Sequence, residues 1–117
     1  MSPSQSSEIG IAPERLAAWL AEDPTLQVVD VREPYEREAG HIEGTRHIEL
    51  NQLSEQAASL DASRPVVFYC RVGARSTMAA QALRAAGFEA YSMDGGLMRW
   101  AQEQHPLSPR DGRVAEH

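Results

Sequence analysis

Apolar positions along this chain alternate between two habits, a spacing of three to four residues and a short unbroken run. Leu16, Ala17, Trp19 and Leu20 share one face of a helix predicted over 13–22, with Pro13 tolerated in its first turn and Asp23-Pro24 ending it. Leu26-Gln27-Val28-Val29-Asp30-Val31 has the length and β-branching of a buried parallel strand. Pro34 then starts a short helical turn to Ala39, and Gly40 releases the chain. A strand from Thr45 to Ile48, a helix capped by Asn51 and reaching Leu60, and a strand from Pro65 to Cys70 follow. Arg75 or Ser76 opens the next helix, in which Met78, Ala79, Ala82, Leu83 and Ala86 keep the 3.6 period up to Gly87. Glu89 to Met93 makes another strand. Asp94 is positioned to cap a last helix with Leu97, Met98 and Trp100 inward, and His105-Pro106 ends the fold. Strands alternating with helices predict a three-layer α/β domain with a mainly parallel sheet, whose ligands would bind at the carboxyl ends of the strands.

That rule draws attention to Cys70, the one cysteine, at the end of the run Val66-Val67-Phe68-Tyr69 and the start of a helical pattern. A strand turning into a helix there leaves several N–H groups without intrahelical partners near the sulfur, and those donors favour an anion. Arg71 and Arg75 flank the turn with no acid between 70 and 76. Such surroundings lower a cysteine pKa from about 8.5 into the range ~3.5–7.5, so the thiol is expected to ionise at neutral pH and to lie within reach of solvent. Gly73 in mid-turn allows a positive φ or a close approach to a ligand. A lone cysteine is ordinarily a small buried hydrophobe. The two arginines, the glycine and the strand-to-helix junction favour chemistry instead.

Size and charge narrow the field. At 117 residues the chain suits one domain, which would bury a little over ~60% of its unfolded surface. We expect a flexible start over 1–8, the domain over 9–105 and a loose polar tail over 106–117. The first seven residues are polar and lack the basic and apolar parts of a secretory signal, so cytoplasm is the default. The net charge of −6 and the absence of a basic cluster speak against nucleic acid and anionic membranes as partners. A single cysteine excludes an intramolecular disulfide or a two-cysteine relay within the monomer. Four scattered histidines and one cysteine lack metal-ligand spacing, and no cofactor is expected.

Cys70-Arg71-Val72-Gly73-Ala74-Arg75 resembles the active-site loop of rhodanese-type sulfurtransferases. Asp30-Val31-Arg32-Glu33-Pro34-Tyr35-Glu36, followed by Gly40-His41-Ile42-Glu43-Gly44, is similar to the family's early segment, and Asp94-Gly95-Gly96 with Trp100 to its late one. Order and spacing agree over roughly residues 9–104. The resemblance implies a rhodanese-like α/β domain with a five-stranded, mainly parallel sheet. It also implies a persulfide mechanism: Cys70 thiolate takes the outer sulfur of a donor such as thiosulfate, sulfite leaves, and a thiol or cyanide removes the sulfur. Backbone N–H groups of residues 71–75 and the following helix would stabilise the charges. The substrate-binding residues are then Arg71, Val72, Gly73, Ala74, Arg75 and Ser76, with Arg71 and Arg75 orienting the anionic donor.

Other residues have plainer explanations. Asp30 and Arg32 at a strand end are expected to tie loops together and support the site, and His41 to fix its loop between Gly40 and Gly44. Gly95-Gly96 suits a tight turn, and Trp19 and Trp100 are core anchors. Glu43 and Glu49 stand where the family commonly has proline; facing the pocket mouth, they would repel an oxyanion and disfavour thiosulfate. Two other functions fit part of the pattern. A cysteine phosphatase or arsenate reductase of related fold needs an arginine six places after the cysteine, where this chain has Ser76. A sulfur-relay or binding module serving a partner protein needs only the intact Cys70.

Overall fold

The computed structural model describes residues 8–117. Its sheet has five strands: β1 (Gly10–Ile11), β2 (Gln27–Asp30), β3 (Arg46–His47), β4 (Val66–Tyr69) and β5 (Ala90–Met93). They run in the order β1-β5-β4-β2-β3, every neighbouring pair parallel. The helices are α1 (Pro13–Glu22), α2 (Pro34–Ala39), α3 (Leu53–Gln56), α4 (Ala74–Ala85) and α5 (Gly96–Gln102). The apolar pattern locates four of the strands. β1 is two residues long, too short to leave a periodic mark, and is held by Ser92 N–H on the Ile9 carbonyl and Asp94 N–H on the Ile11 carbonyl, both 2.8 Å.

Alternation along β4 builds the three layers. Val67 and Tyr69 point into a core with Leu16, Trp19, Leu97 and Trp100, the side covered by α1 and α5. Val66, Phe68 and Cys70 point into the other, with Leu53, Ala79, Ala80 and Leu83 from α3 and α4. Both faces of the sheet are thus dry, as a parallel sheet requires, and each fully buried Val, Leu or Phe contributes about 1.5–3 kcal/mol.

Several expected elements differ. The helix expected from Asn51 to Leu60 is broken into a 3-10 turn (Leu50–Gln52), the single turn α3 and a second 3-10 turn (Ala57–Ser59). Only Leu53 is buried between 50 and 59, so no apolar stripe holds a continuous helix to the sheet. α4 begins at Ala74, one residue before the expected start, and its inward face is Ser76, Ala79, Ala80 and Leu83. Met78 is 59% exposed, and Ala82 and Ala86 also face out; a helix this rich in alanine does not declare its inward face. Asp94 does not cap α5. Consecutive left-handed glycines, Gly95 (φ 72°) and Gly96 (φ 61°), carry the chain past it, and Gly95 takes the cap position. Leu97 and Trp100 are buried as expected, while Met98 is only half-buried.

The expected loose tail is also revised. The flexible start expected over 1–8 lies outside the described residues except for Glu8, whose carbonyl accepts Arg84 Nη2–H (3.0 Å). Residues 106–117 are not loose. The Pro106 carbonyl accepts the Trp100 indole N–H (2.8 Å), Ser108 exchanges two backbone hydrogen bonds with His41 (2.7 and 3.0 Å), and Arg113 N–H reaches the Ala39 carbonyl (2.8 Å). Leu107 and Val114 pack on the core, and Ala115 is buried. These apolar residues are spaced among polar ones, which hides their common direction.

Where β2 ends, the chain is fastened by a fully buried ion pair. Asp30 Oδ1 accepts Arg32 Nε–H and Asp30 Oδ2 accepts Arg32 Nη2–H, both at 2.8 Å, and Nη2 also donates to the Gly40 carbonyl (2.7 Å). His47 Nε2–H donates to the Arg32 carbonyl (2.7 Å), and His41 Nδ1 lies 3.1 Å from the Arg37 carbonyl. Removing one partner of such a pair strands the other's charge. Asp30→Asn is therefore expected to cost about 3–5 kcal/mol of folding stability, read from the shift in urea midpoint; a loss below about 1 kcal/mol would show that water reaches the arginine.

Candidate active site

The carboxyl end of β4 delivers Cys70 into a turn that must become a helix within four residues. Gly73 makes this possible at φ 110°, a left-handed conformation that suits glycine, and it is the N-cap of α4. Its carbonyl accepts Thr77 N–H (3.0 Å) and Thr77 Oγ1–H (2.7 Å), which starts the helix. The turn bends back over the cysteine, and two amides meet the sulfur: Gly73 N–H at 3.1 Å and Ser76 N–H at 3.4 Å. The Ser76 hydroxyl lies 3.5 Å from the same Sγ. Ser76 is steadied in turn by Ser92 Oγ at 2.7 Å.

The loop is pinned from the opposite side by the start of α5. Leu97 N–H donates to the Cys70 carbonyl (2.8 Å) and Met98 N–H to the Arg71 carbonyl (3.0 Å). Gly96 permits this approach, because a Cβ there would collide with the Arg71 carbonyl. Two strand ends, β4 and β5, thus build one backbone cradle.

The arginines differ. Arg75 is bound end-on by Glu36, with Nη1–H on Oε1 at 2.8 Å and Nη2–H on Oε2 at 3.0 Å. Glu36 Oε1 also accepts Glu33 N–H (3.0 Å) at the start of α2, so a fully buried carboxylate joins α2 to the loop. Burial pushes the Glu36 pKa up. The hydrogen bonds from Arg75 and from Glu33 N–H, with the charges of Arg75 and Arg32, outweigh it and hold the carboxyl below its usual range. The hydrogen bonds to Glu36 in turn raise the Arg75 pKa, against the opposing effect of burial. Arg71 is half-buried, and its Nε has no hydrogen-bond partner among the described residues. Val72 is 52% exposed and Ala74 is exposed on the outer side of the loop.

The expectation of a solvent-exposed sulfur is overturned: Cys70 is 0% exposed. It lies in the core cluster with Phe68, Ala79 and Ala80, and its own loop closes over it. A reagent reaches Sγ only when the loop or the cysteine side chain moves. Position 76 brings a hydroxyl, not a guanidinium, to the sulfur. Glu36, Ser92 and Thr77 belong to the site but were not singled out in the sequence. The signal for Glu36 was its place three residues after Glu33 in front of Pro34, a capping-box spacing; nothing local marks Ser92.

Glu49 and Glu43 part company. Glu49 lines a groove of about 380 Å³ with Arg75, Glu33, Val31, Asn51 and His117. Glu43 lines a separate apolar groove of about 560 Å³ with Trp100, Leu20, Leu107 and Arg110. Among the described residues, Glu33, Glu36 and His117 bring ligand atoms within 4.8 Å of one another, but Glu36 already serves Arg75 with both oxygens. Among the same residues, no helix is long and apolar enough to cross a membrane.

The rhodanese-like domain family matches residues 12–103. The thiosulfate sulfurtransferase GlpE of Pseudomonas aeruginosa (strain LESB58) is 41% identical over 105 residues, covering 89% of this chain and 93% of that protein. The protein YqhL of Bacillus subtilis is 45% identical over 75 residues, and the match spans 63% of this chain and only 60% of YqhL. Among solved structures, a rhodanese-related protein from Thermoplasma volcanium superposes with a TM-score of 0.73 at 29% identity, covering 84% of this chain and 95% of the other.

Because Glu36 is ionised in the fold at a pH where it would be protonated in the unfolded chain, its pair with Arg75 adds stability above the ordinary carboxyl range near 4.5 and loses it as pH falls through the lowered value. Glu36→Gln is expected to flatten this part of the acid-unfolding curve, monitored by circular dichroism. An unchanged curve would mean that the pair contributes nothing to folding.

Proposed function

Because the chain belongs to the rhodanese-like domain family, we propose that it is a sulfurtransferase in which Cys70 carries the sulfur as a persulfide. The observation that supports this most directly is the pair of amides, from Gly73 and Ser76, turned onto the one cysteine sulfur at a strand's carboxyl end. Donors fixed before reaction favour negative charge at that point without reorganisation. In the proposed cycle the thiolate attacks the outer sulfane sulfur of a donor, of which thiosulfate is the simplest. The donor's S–S bond breaks, sulfite departs with the electron pair, and Cys70 holds the sulfur. A thiol or cyanide then attacks that outer sulfur and regenerates the thiolate. Loop residues 71–76 would line the site, with Arg71 the arginine open to an incoming anion and Arg75 holding the loop through Glu36.

The covered sulfur adds a step, since the loop or the cysteine side chain must move before a donor enters. That same observation favours a second reading, a sulfur-relay module whose loop opens against a partner protein. Poor turnover with small donors together with rapid loading by a partner desulfurase would favour relay. An aryl phosphatase activity comparable with sulfur transfer would overturn both.

Intact-mass measurement after thiosulfate treatment should show one added sulfur atom, removed by cyanide and absent in Cys70→Ser. Addition that persists in Cys70→Ser would refute the assignment.

A further inference from the structure

The groove next to the loop has the wrong sign for an anionic donor. Its wall carries Glu33 and Glu49 against Arg75, and the Arg75 charge is already matched by Glu36 behind it. His117 Nε2 stands 3.2 Å from Glu33 Oε2 and offsets that one carboxylate when protonated. Glu49 is half-buried, and although its carbonyl accepts Gln52 N–H (2.9 Å), its carboxylate makes no hydrogen bond or ion pair among the described residues and caps no helix, so its charge acts on whatever enters. A cleft lined by charge of one sign on low-dielectric walls concentrates ligands of the opposite sign and repels its own, changing association rates by about 10–10³-fold.

Building on the Cys70 persulfide reading, we infer that Glu49, with Glu33, is a specificity determinant that turns this site away from doubly negative thiosulfate and toward a persulfide carried on an amine-bearing thiol. The groove, at about 380 Å³, has room for a small carrier of this kind. Its ammonium group would lie against Glu49 and Glu33 while its persulfide reaches toward the loop. The transfer balances without an added oxidant or reductant. Cys70 thiolate bonds to the carrier's outer sulfur, the carrier's S–S bond breaks, and its inner sulfur leaves as a thiolate with the electron pair. The proton of the outer sulfur passes with it to Cys70.

The test compares single-turnover loading of the full chain, followed by intact mass, from thiosulfate and from cysteamine persulfide. Each donor is compared between the wild type, Glu49→Gln and Glu49→Lys, so that the donors' intrinsic reactivities cancel. Loading from thiosulfate is expected to rise severalfold in Glu49→Gln and about tenfold in Glu49→Lys, while loading from the amine-bearing donor falls in both. Salt at about 0.5 M should compress these differences, because screening shortens the reach of exposed charge. Parallel changes for the two donors, or none in the isosteric Glu49→Gln, would overturn the inference while leaving Cys70 as the carrier. Failure of the wild type to load from either donor would overturn this inference, and failure to load from a partner desulfurase as well would overturn the persulfide reading with it.

Discussion

Everything at the site follows from a short piece of backbone that must leave a strand, enter a helix and keep its own amides on the sulfur it has just passed. The hydrogen bonds from Gly73 and Ser76 to Cys70 Sγ exist only in that bent conformation. A loop with few apolar contacts would not hold it unaided, since backbone ordering costs about 1–2 kcal/mol per residue. It is therefore fastened on three sides: to α5 through the Cys70 and Arg71 carbonyls, to β5 through Ser76 and Ser92, and to α2 through Arg75 and Glu36. The α2 and α5 fastenings come from the turns that follow β2 and β5, and the third from β5 itself, so the fold and the site are one construction.

The electrostatics have two layers. Close to the sulfur lie neutral groups whose effect depends on orientation, two amides that donate to it and the Ser76 hydroxyl oxygen that accepts from its S–H. Farther out lie full charges, and there the two loop arginines have separate tasks. Arg75 is spent on Glu36, in a pair whose carboxylate is fully buried and whose guanidinium is mostly so. Arg71 keeps an unpartnered Nε. A loop that looks doubly cationic on paper therefore offers much less free positive charge, set beside a groove containing Glu33 and Glu49.

Much of this could be read from the chain. The short unbroken apolar runs and the 3.6 pattern point to the α/β layering, and Gly73 after Cys70 marks the turn whose φ is 110°. The glycine pair at 95–96 was rightly taken as a tight turn, but its left-handed geometry displaced the cap from Asp94 to Gly95. What stayed hidden depends on contacts distant in sequence. The partner of Arg75 lies 39 residues away, and Ser92 meets Ser76 from a neighbouring strand. The burial of Cys70 was missed because a strand-end position says nothing about the loop that folds over it. The C-terminal segment was judged by its polarity, although Leu107, Val114 and Ala115 are enough to seat it.

The central claim is that this cradle holds sulfur on Cys70, and a high-resolution crystal structure of the sulfur-loaded protein tests it most directly. The account predicts a second sulfur bonded to Cys70 Sγ and surrounded by amide hydrogens of the 71–76 loop. The Leu97 and Met98 amides should remain on the Cys70 and Arg71 carbonyls. A loaded protein whose extra sulfur lies on another residue, or whose loop has come away from α5, would contradict it.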